Sequence, residues 1–295
     1  MERVFGIDFG TTSSAIVGAI KTDNGIHTIF YGAENGSPIP SLVAISRDTG
    51  TVLTGLSAKN NCSDLAKTYE IIYSVKSILD TNEKIELASG TWRPIDIATE
   101  LFGALKLAVK KRTGENMNKA VVAIPVGFSM EKRKCLREAA AIAGIQITSF
   151  ISEPTAAFFS NYDKLKSATN IVVFDWGGGT LDVSVLRNEN GNIYELSKSG
   201  RDIAGDFIDE KLAKQIHARI AQKKGNESNF KDMSFAEQRR LKLACEHAKI
   251  MLSDFPVGKI WALNYGQYGI IREELLFDNF CEIIEPEIKM AMLCL

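Results

Sequence analysis

The sequence predicts an α/β protein built from two similar lobes. Three observations indicate this: the chain has 295 residues, strand-like and helix-like segments alternate along it, and one short motif occurs twice. A typical domain has roughly 150 residues, so the length fits two compact units. Strands separated by helices are typical of α/β folds.

The first half of the chain opens with strand-like runs and continues with helices. Strands are predicted at residues 4–7, 14–20, 28–31, 42–46 and 120–124. Apolar residues at helical spacing predict a helix over 96–112 and another over 130–143, which Ser129 can cap. Pro154 suits the first turn of a further helix.

The second half repeats the alternation. Strands are predicted at residues 171–174 and 181–186, and helices at 206–221 and 235–252. Ser234 and Glu237 have the spacing of a capping box, in which each side chain bonds the backbone N–H of the other residue. The last of these helices should therefore begin directly after Ser234.

The most informative feature is the motif that occurs twice, at residues 6–12 and 173–180. Each copy has an apolar strand, an aspartate, an aromatic residue, glycine and small residues, and then a second apolar strand. The two aspartates, Asp8 and Asp175, lie about half the chain apart. Because a repeat points to duplicated architecture, we predict that each lobe contributes one such hairpin to a shared cleft.

The hairpins have the residue types that bind phosphate. Glycine lets the backbone approach a ligand closely, its N–H groups can surround an anion, and threonine hydroxyls add donors. An aspartate at the end of each first strand can hold Mg²⁺ through water. Neither hairpin has the P-loop spacing or leads into a helix as a dinucleotide fingerprint does. The alternative is that each glycine only permits a tight turn.

Composition excludes several other classes. With 35 Lys and Arg against 36 Asp and Glu, the chain lacks the positive charge that holds nucleic acids. It has no apolar stretch of about 20 residues and no charged-then-apolar leader, so we expect a cytoplasmic protein with no membrane partner. The five cysteines have no C-x-x-C pairing and are expected to be free thiols, and three scattered histidines do not indicate zinc.

Three further segments complete a resemblance to a known family. They read AVVAIP at 120–125, SEPTAA at 152–157 and ACEHAKIMLS at 244–253. With the hairpins, they resemble the ATPase domain of the 70-kilodalton heat-shock chaperones, in the superfamily of actin and sugar kinases. The resemblance implies a two-lobed actin-like ATPase fold, with a duplicated ribonuclease-H-like core and a nucleotide cleft between the lobes.

The resemblance also implies a division into lobes and subdomains. Lobe I would span 1–166, with a core of 1–37 and 97–166 and a peripheral subdomain of 38–96. Lobe II would span 167–295, with a core of 167–204 and 280–295 and a peripheral subdomain of 205–279. The family's later adenosine-binding strand and closing helices have no counterpart here, so lobe II is expected to be incomplete and the chain to be a fragment or a truncated reading frame.

Residue roles follow from the resemblance. Asp8 and Asp175 would organise Mg²⁺ and its waters, Lys76 would reach the γ-phosphate, and Glu153 and Asp182 would lie near the metal and the attacking water. Lys76, Glu153, Asp175 and Asp182 form the catalytic set together with Thr180. The residues expected at the phosphates are Gly10, Thr11, Thr12, Gly177, Gly178, Gly179 and Thr180.

The remaining roles concern the adenosine. Glu246, Lys249 and Ser253 share one helix face at spacings of three and four residues. That face is either an ordinary polar flank or, as the resemblance implies, a contact with ribose and adenine. Gly205 would lie in the turn beneath the nucleotide. Ile250 stands where the family has an arginine that stacks on adenine, which leaves base selectivity open.

The predicted function is an ATP-binding and ATP-hydrolysing module of chaperone type that depends on Mg²⁺. Hydrolysis to ADP would change the closure of the two lobes. The expected partners are client proteins, a co-chaperone or a nucleotide-exchange factor. The alternatives are a nucleotide sensor or interaction module without hydrolysis, a small-molecule kinase, for which no acceptor-pocket signal is found, and an actin-like filament.

Overall fold

A computed structural model describes residues 3–23, 25–65, 67–81, 84–225 and 228–295. The chain divides into two compact units. The first unit comprises the described residues within 1–61, 67–173 and 184–198, and the second those within 62–66, 174–183 and 199–295. The lobe boundaries given above remain predictions.

The first unit is built around a six-stranded sheet in the order β11-β10-β1-β2-β3, with β4 paired to β2. Its strands are β1 (Val4–Phe9), β2 (Ser13–Thr22), β3 (Gly25–Tyr31), β4 (Ile39–Pro40), β10 (Lys119–Ile124) and β11 (Gln146–Ser152). β1 runs parallel to β10 and antiparallel to β2. The predicted strands at 4–7, 14–20, 28–31 and 120–124 are therefore confirmed.

Three helices pack on this sheet where the sequence predicts them: α3 (Pro94–Thr113), α4 (Met130–Ile142) and α5 (Glu153–Ser160). A short helix that was not predicted, α6 (Tyr162–Leu165), follows α5. Ser129 caps α4 by accepting a hydrogen bond from the Lys132 backbone N–H, as predicted. α3 begins two residues before the predicted helix because Asp96 accepts a hydrogen bond from the Arg93 backbone N–H and completes a capping box.

A smaller set of elements lies between β4 and α3. They are β5 (Val43–Ser46), β6 (Val52–Thr54), α1 (Gly55–Leu65), β7 (Tyr69–Ile72), α2 (Val75–Ile78), β8 (Ile85–Leu87) and β9 (Gly90–Trp92). β5 is the central strand of a β6-β5-β7 sheet, and β8 pairs with β9. Only β5 is predicted from the sequence.

A three-stranded sheet follows, in the order β12-β13-β14. Its strands are β12 (Asn170–Trp176), β13 (Leu181–Glu189) and β14 (Asn192–Arg201). The predicted strands at 171–174 and 181–186 are confirmed and are longer than predicted. β12 and β13 match β1 and β2 in the repeated motif.

The second unit has a helical core with one hairpin. Its elements are α7 (Gly205–Lys223), α8 (Phe235–Met251), β15 (Val257–Ala262), β16 (Ile271–Leu276) and α9 (Phe277–Met292). The predicted capping box at Ser234 and Glu237 is confirmed at the start of α8. β15 lies so close to α8 that a Cβ at Gly258 would collide with the Ala248 carbonyl, which explains a glycine in this strand.

The core of the first unit depends on aromatic contact between sheet and helix. Phe9 and Phe102 are both buried, and their rings stack at 4.8 Å. We expect Phe102→Ala to lower the free energy of unfolding of the first unit by about 3–5 kcal/mol, because it removes this contact and leaves a cavity. Denaturant unfolding would measure this, with Leu107→Ala, a half-exposed residue of the same helix, as the control. A loss of equal size in both variants would contradict the expectation.

Candidate functional site

The first glycine turn is held by backbone contacts that leave no space for a side chain. Gly10 lies between β1 and β2, and a Cβ there would collide with the Ser13 carbonyl oxygen. Ser41 braces the turn: its backbone N–H donates to the Thr12 carbonyl at 2.9 Å and its hydroxyl donates to the Gly10 carbonyl at 2.8 Å. The sequence analysis did not identify Ser41.

The parallel strands of the first unit bring polar residues to one edge. Asp8 of β1 is level with Ala123 of β10, and Ile124 of β10 is level with Ser152 of β11. Glu153 follows Ser152 at the start of α5. Because parallel strands end at the same edge of a sheet, Asp8 and Glu153 lie at the carboxyl ends where α/β proteins bind ligands.

Lys76 and Glu153 form an ion pair across 77 sequence positions, with 2.7 Å between Nζ and Oε1. The side chains are 8% and 20% exposed, respectively, so the pair is mostly out of water. Phe128 places its ring 5.7 Å from the lysine Nζ.

Ser74, just before α2, has the left-handed backbone angle φ 55, which is strained for this residue type. Such strain is often found at functional sites.

The second glycine turn is joined to the start of α7. Gly177 closes the turn by donating its N–H to the Thr180 carbonyl at 3.0 Å. The N–H groups of Gly205 and Asp206 donate to the carbonyls of Gly177 and Gly178 at 3.0 and 2.8 Å. These bonds fix the turn to the helix, so Gly205 lies beside Gly177 and Gly178.

The side chains around this turn are also connected. The Thr180 hydroxyl donates to Asp182 Oδ2 at 2.7 Å. The indole N–H of Trp176 donates to the Ile203 carbonyl at 2.8 Å and anchors the end of β12. Asp175, the residue before Trp176, is exposed. The turn thus has one exposed carboxylate at the end of its first strand, as the first turn has in Asp8.

The proposed adenosine face lies at the end of α8. Glu246 and Lys249 are partly buried on the helix, while Ser253 is exposed in the turn that follows it. The helix predicted over 235–252 therefore extends one residue beyond the observed end of α8 at Met251. Lys249 donates to the Gly205 carbonyl at 3.3 Å, which brings this face to the second turn. Ile250 is 56% exposed.

A further acid, Asp209, lies beneath this face and is absent from the predicted site. Asp209 Oδ1 lies 2.8 Å from Lys249 Nζ, and the carboxylate is almost fully buried. Burial raises the pKa of Asp209 to about 6, although the Lys249 charge beside it acts in the opposite direction. Its position on the apolar face of α7, in register with Leu212 and Ala213, is the sequence signal that could have identified it.

Within the described residues, no group of three or more His, Cys, Asp or Glu side chains could hold a metal ion directly. The prediction that Asp8 and Asp175 hold Mg²⁺ through water remains a prediction. The five cysteines are free thiols, as predicted. None of the described helices is both long enough and apolar enough to cross a membrane.

The sheet order and glycine turns define the class of protein: an α/β protein with the actin-like ATPase fold. A family model described as "Hsp70 protein" matches residues 66–264. The chain belongs to the Hsp70 family. This confirms the family and the fold expected from the sequence motifs.

Individual relatives agree. The chain is 33% identical over 254 residues to the chaperone protein DnaK of Ureaplasma urealyticum serovar 10, covering 85% of this chain and 40% of the relative. It is 34% identical over 254 residues to DnaK of Ureaplasma parvum serovar 3, with the same coverage. DnaK of Metamycoplasma hominis is 33% identical over 263 residues, covering 88% of this chain and 42% of the relative. The chain thus spans about two fifths of these relatives.

Gly10 provides a direct test of the first turn. We expect Gly10→Ala to destabilise the first unit by about 1–3 kcal/mol, because the new methyl group would collide with the Ser13 carbonyl. Gly6→Ala, in the preceding strand β1, is the matched control, since its Cβ would have its nearest neighbour, the Val17 carbonyl oxygen, at 4.0 Å. Denaturant unfolding of both variants would check this. Equal stability of the two variants would contradict the geometry.

Asp209 gives stability a defined pH dependence. Its pKa is about 6 in the folded protein and 3.8 without the protein environment, so the folded state binds this proton more tightly. The contribution of Asp209 to the free energy of unfolding therefore falls by about 2 kcal/mol as the pH rises from 4 to 6. We expect Asp209→Asn to remove this component.

The measurement is denaturant unfolding of wild type and Asp209→Asn across that pH range. Asp163→Asn, which removes an exposed carboxylate, controls for the change in net charge. If wild type and Asp209→Asn have the same pH dependence, the raised pKa is wrong.

Proposed function

We propose that this chain binds Mg·ATP and hydrolyses it as the nucleotide-binding module of an Hsp70-type chaperone. The observation that carries the proposal is the Lys76–Glu153 ion pair at 2.7 Å, at the strand edge where Asp8 is the next-to-last residue of β1. A mostly buried cation beside a carboxylate suits phosphoryl transfer, in which catalysis is mainly positioning and charge neutralisation.

The glycine turns supply the proposed phosphate contacts. In each turn a backbone without a side chain, at Gly10 and at Gly178 and Gly179, can present N–H groups to phosphate oxygens, while Gly177 shapes the second turn through its bond to the Thr180 carbonyl. Thr11, Thr12 and Thr180 add hydroxyl donors. Within the second unit, Glu246, Lys249 and Ser253 are the proposed contacts for adenosine, with Gly205 beneath it.

Mg²⁺ fits the available donors. Asp8 and Asp175 are both exposed carboxylates, and Mg²⁺ keeps several waters and is commonly bound by one or two carboxylates together with phosphate. When bound, the ion would neutralise charge on the phosphates. Asp8 and Asp175 would hold its waters.

The protein's own groups would act on the attacking water and the γ-phosphate. Glu153 accepts a hydrogen bond from the water and orients it, and Lys76 offsets the charge that develops on the γ-phosphate. Asp182, held by Thr180, is a further proposed contact of the attacking water. The bond between the water oxygen and phosphorus forms as the bond to the β,γ-bridging oxygen breaks, which gives ADP and inorganic phosphate.

Membership of the Hsp70 family supports further proposals for a longer protein containing this domain. The relatives are named as chaperone proteins, so client proteins, a co-chaperone or a nucleotide-exchange factor are the proposed partners. A change in lobe closure on hydrolysis and a cytoplasmic location belong to the same proposal.

A substitution at Lys76 tests ATP hydrolysis separately from nucleotide binding. We expect Lys76→Ala to lower the rate of ATP hydrolysis by about a hundredfold or more, because it removes a charge that stabilises the transition state. ADP affinity should change little, since ADP has no γ-phosphate. The measurements are phosphate release and calorimetric titration, with Lys134→Ala, an exposed lysine of α4, as control.

The outcomes distinguish the candidate functions. Hydrolysis unaffected by Lys76→Ala would remove this site as its source. Binding of Mg·ATP by wild type without any turnover would favour a nucleotide sensor. No binding by folded protein would contradict the proposal as a whole.

A further inference from the structure

Asp209 is an unusual residue for its place in the fold. It lies on the buried face of α7, where its neighbours in the helix are Ile208, Leu212 and Ala213. A carboxylate in such surroundings loses its hydration, and this cost is compensated only by a paired charge and hydrogen bonds. Its cation is Lys249 of α8, at 2.8 Å.

Lys249 connects Asp209 to the second glycine turn. Its Nζ donates to the Gly205 carbonyl at 3.3 Å, and the Gly205 N–H donates to the Gly177 carbonyl at 3.0 Å. A Cβ at Gly205 would lie only 3.3 Å from Lys249 Nζ and 3.4 Å from the Gly178 Cα. The ammonium group is therefore held between a buried carboxylate and the backbone carbonyl of Gly205, the first residue of α7.

We propose that Asp209 is a positioning residue that holds the Lys249 ammonium at the first turn of α7 and thereby sets the affinity of the second unit for ATP. This inference rests on the proposed function, because Lys249 is one of the proposed adenosine contacts. A lysine side chain has several rotatable bonds, and fixing it before the ligand arrives reduces the entropy lost on binding.

The charges around Asp209 allow a positioning role to be distinguished from a purely electrostatic effect on nucleotide affinity. Asp206 on α7 and Glu246 on α8 are also acidic, and Lys249 is the cation that opposes them. Removing one negative charge from this group would strengthen binding of an anionic nucleotide if only the electrostatic field mattered. A positioning role predicts the opposite sign, because Lys249 would be released.

The test is a double-mutant cycle on ATP affinity by calorimetry, in the presence of Mg²⁺. We expect Asp209→Asn to weaken ATP binding about tenfold, because the buried ion pair that holds the Lys249 ammonium is lost. Lys249→Met should weaken it similarly, and the double variant should bind no more weakly than Lys249→Met alone. Glu210→Gln, which removes a half-exposed acid from the next position of α7, should stay within twofold of wild type.

A spectroscopic measurement without nucleotide separates positioning from general damage. With ¹⁵N-labelled lysine, the Lys249 ammonium should give a signal that exchanges slowly with water, identified by its absence in Lys249→Met. Asp209→Asn should abolish the slow exchange. A slowly exchanging signal that is unchanged in Asp209→Asn would overturn the proposal.

The affinity results have equally definite meanings. If wild type binds ATP and Asp209→Asn binds equally or more tightly, the positioning role is overturned while the proposed function stands. If Asp209→Asn weakens binding by the same factor with and without Lys249, the effect is structural and the proposal is wrong. If wild type binds no ATP, both the proposed function and this inference fail.

Discussion

The parallel pairing of β1 with β10 is the constraint on which the site in the first unit depends. It places Asp8 level with Ala123 and brings the end of β1 to the edge where β10 and β11 also end. From that edge the chain enters α5 through Glu153, and the carboxylate meets Lys76 from a distant part of the sequence. Asp8, Glu153 and Lys76 come from distant parts of the sequence, and this shared edge of the sheet is what positions them.

In the second unit, backbone hydrogen bonds have the corresponding role. The N–H groups at the start of α7 bond the carbonyls of Gly177 and Gly178, so the turn and the helix form one rigid piece. These first N–H groups of a helix have no partner within it, and here the turn satisfies them. The Lys249–Asp209 ion pair connects α8 to the same elements. It therefore stabilises the arrangement of the turn and α7 that the backbone hydrogen bonds establish.

Much of this fold could be predicted from the sequence because local signals define its elements. Ser129 and Ser234 mark true helix starts, and the repeated motif gives the strand–turn–strand pairs β1–β2 and β12–β13. The strands β6 to β9 were not predicted because strands of three or four residues are too short to show a hydrophobic periodicity. The position of Asp209 on the apolar face of α7 is visible in the sequence, but its pairing with Lys249 of α8, forty positions away along the chain, is a tertiary contact. The Lys76–Glu153 pair is likewise a tertiary contact, which spacing alone cannot indicate.

The central proposal is that each glycine turn has N–H groups that bind phosphate. Amide hydrogen exchange, measured with and without Mg·ATP, tests it most directly. We expect slower exchange at residues 10–12 and 178–180, because their N–H groups would be bonded to phosphate, and no change at the Asn190–Gly191 turn between β13 and β14. Unchanged exchange at either glycine turn, in folded protein saturated with Mg·ATP, would contradict it.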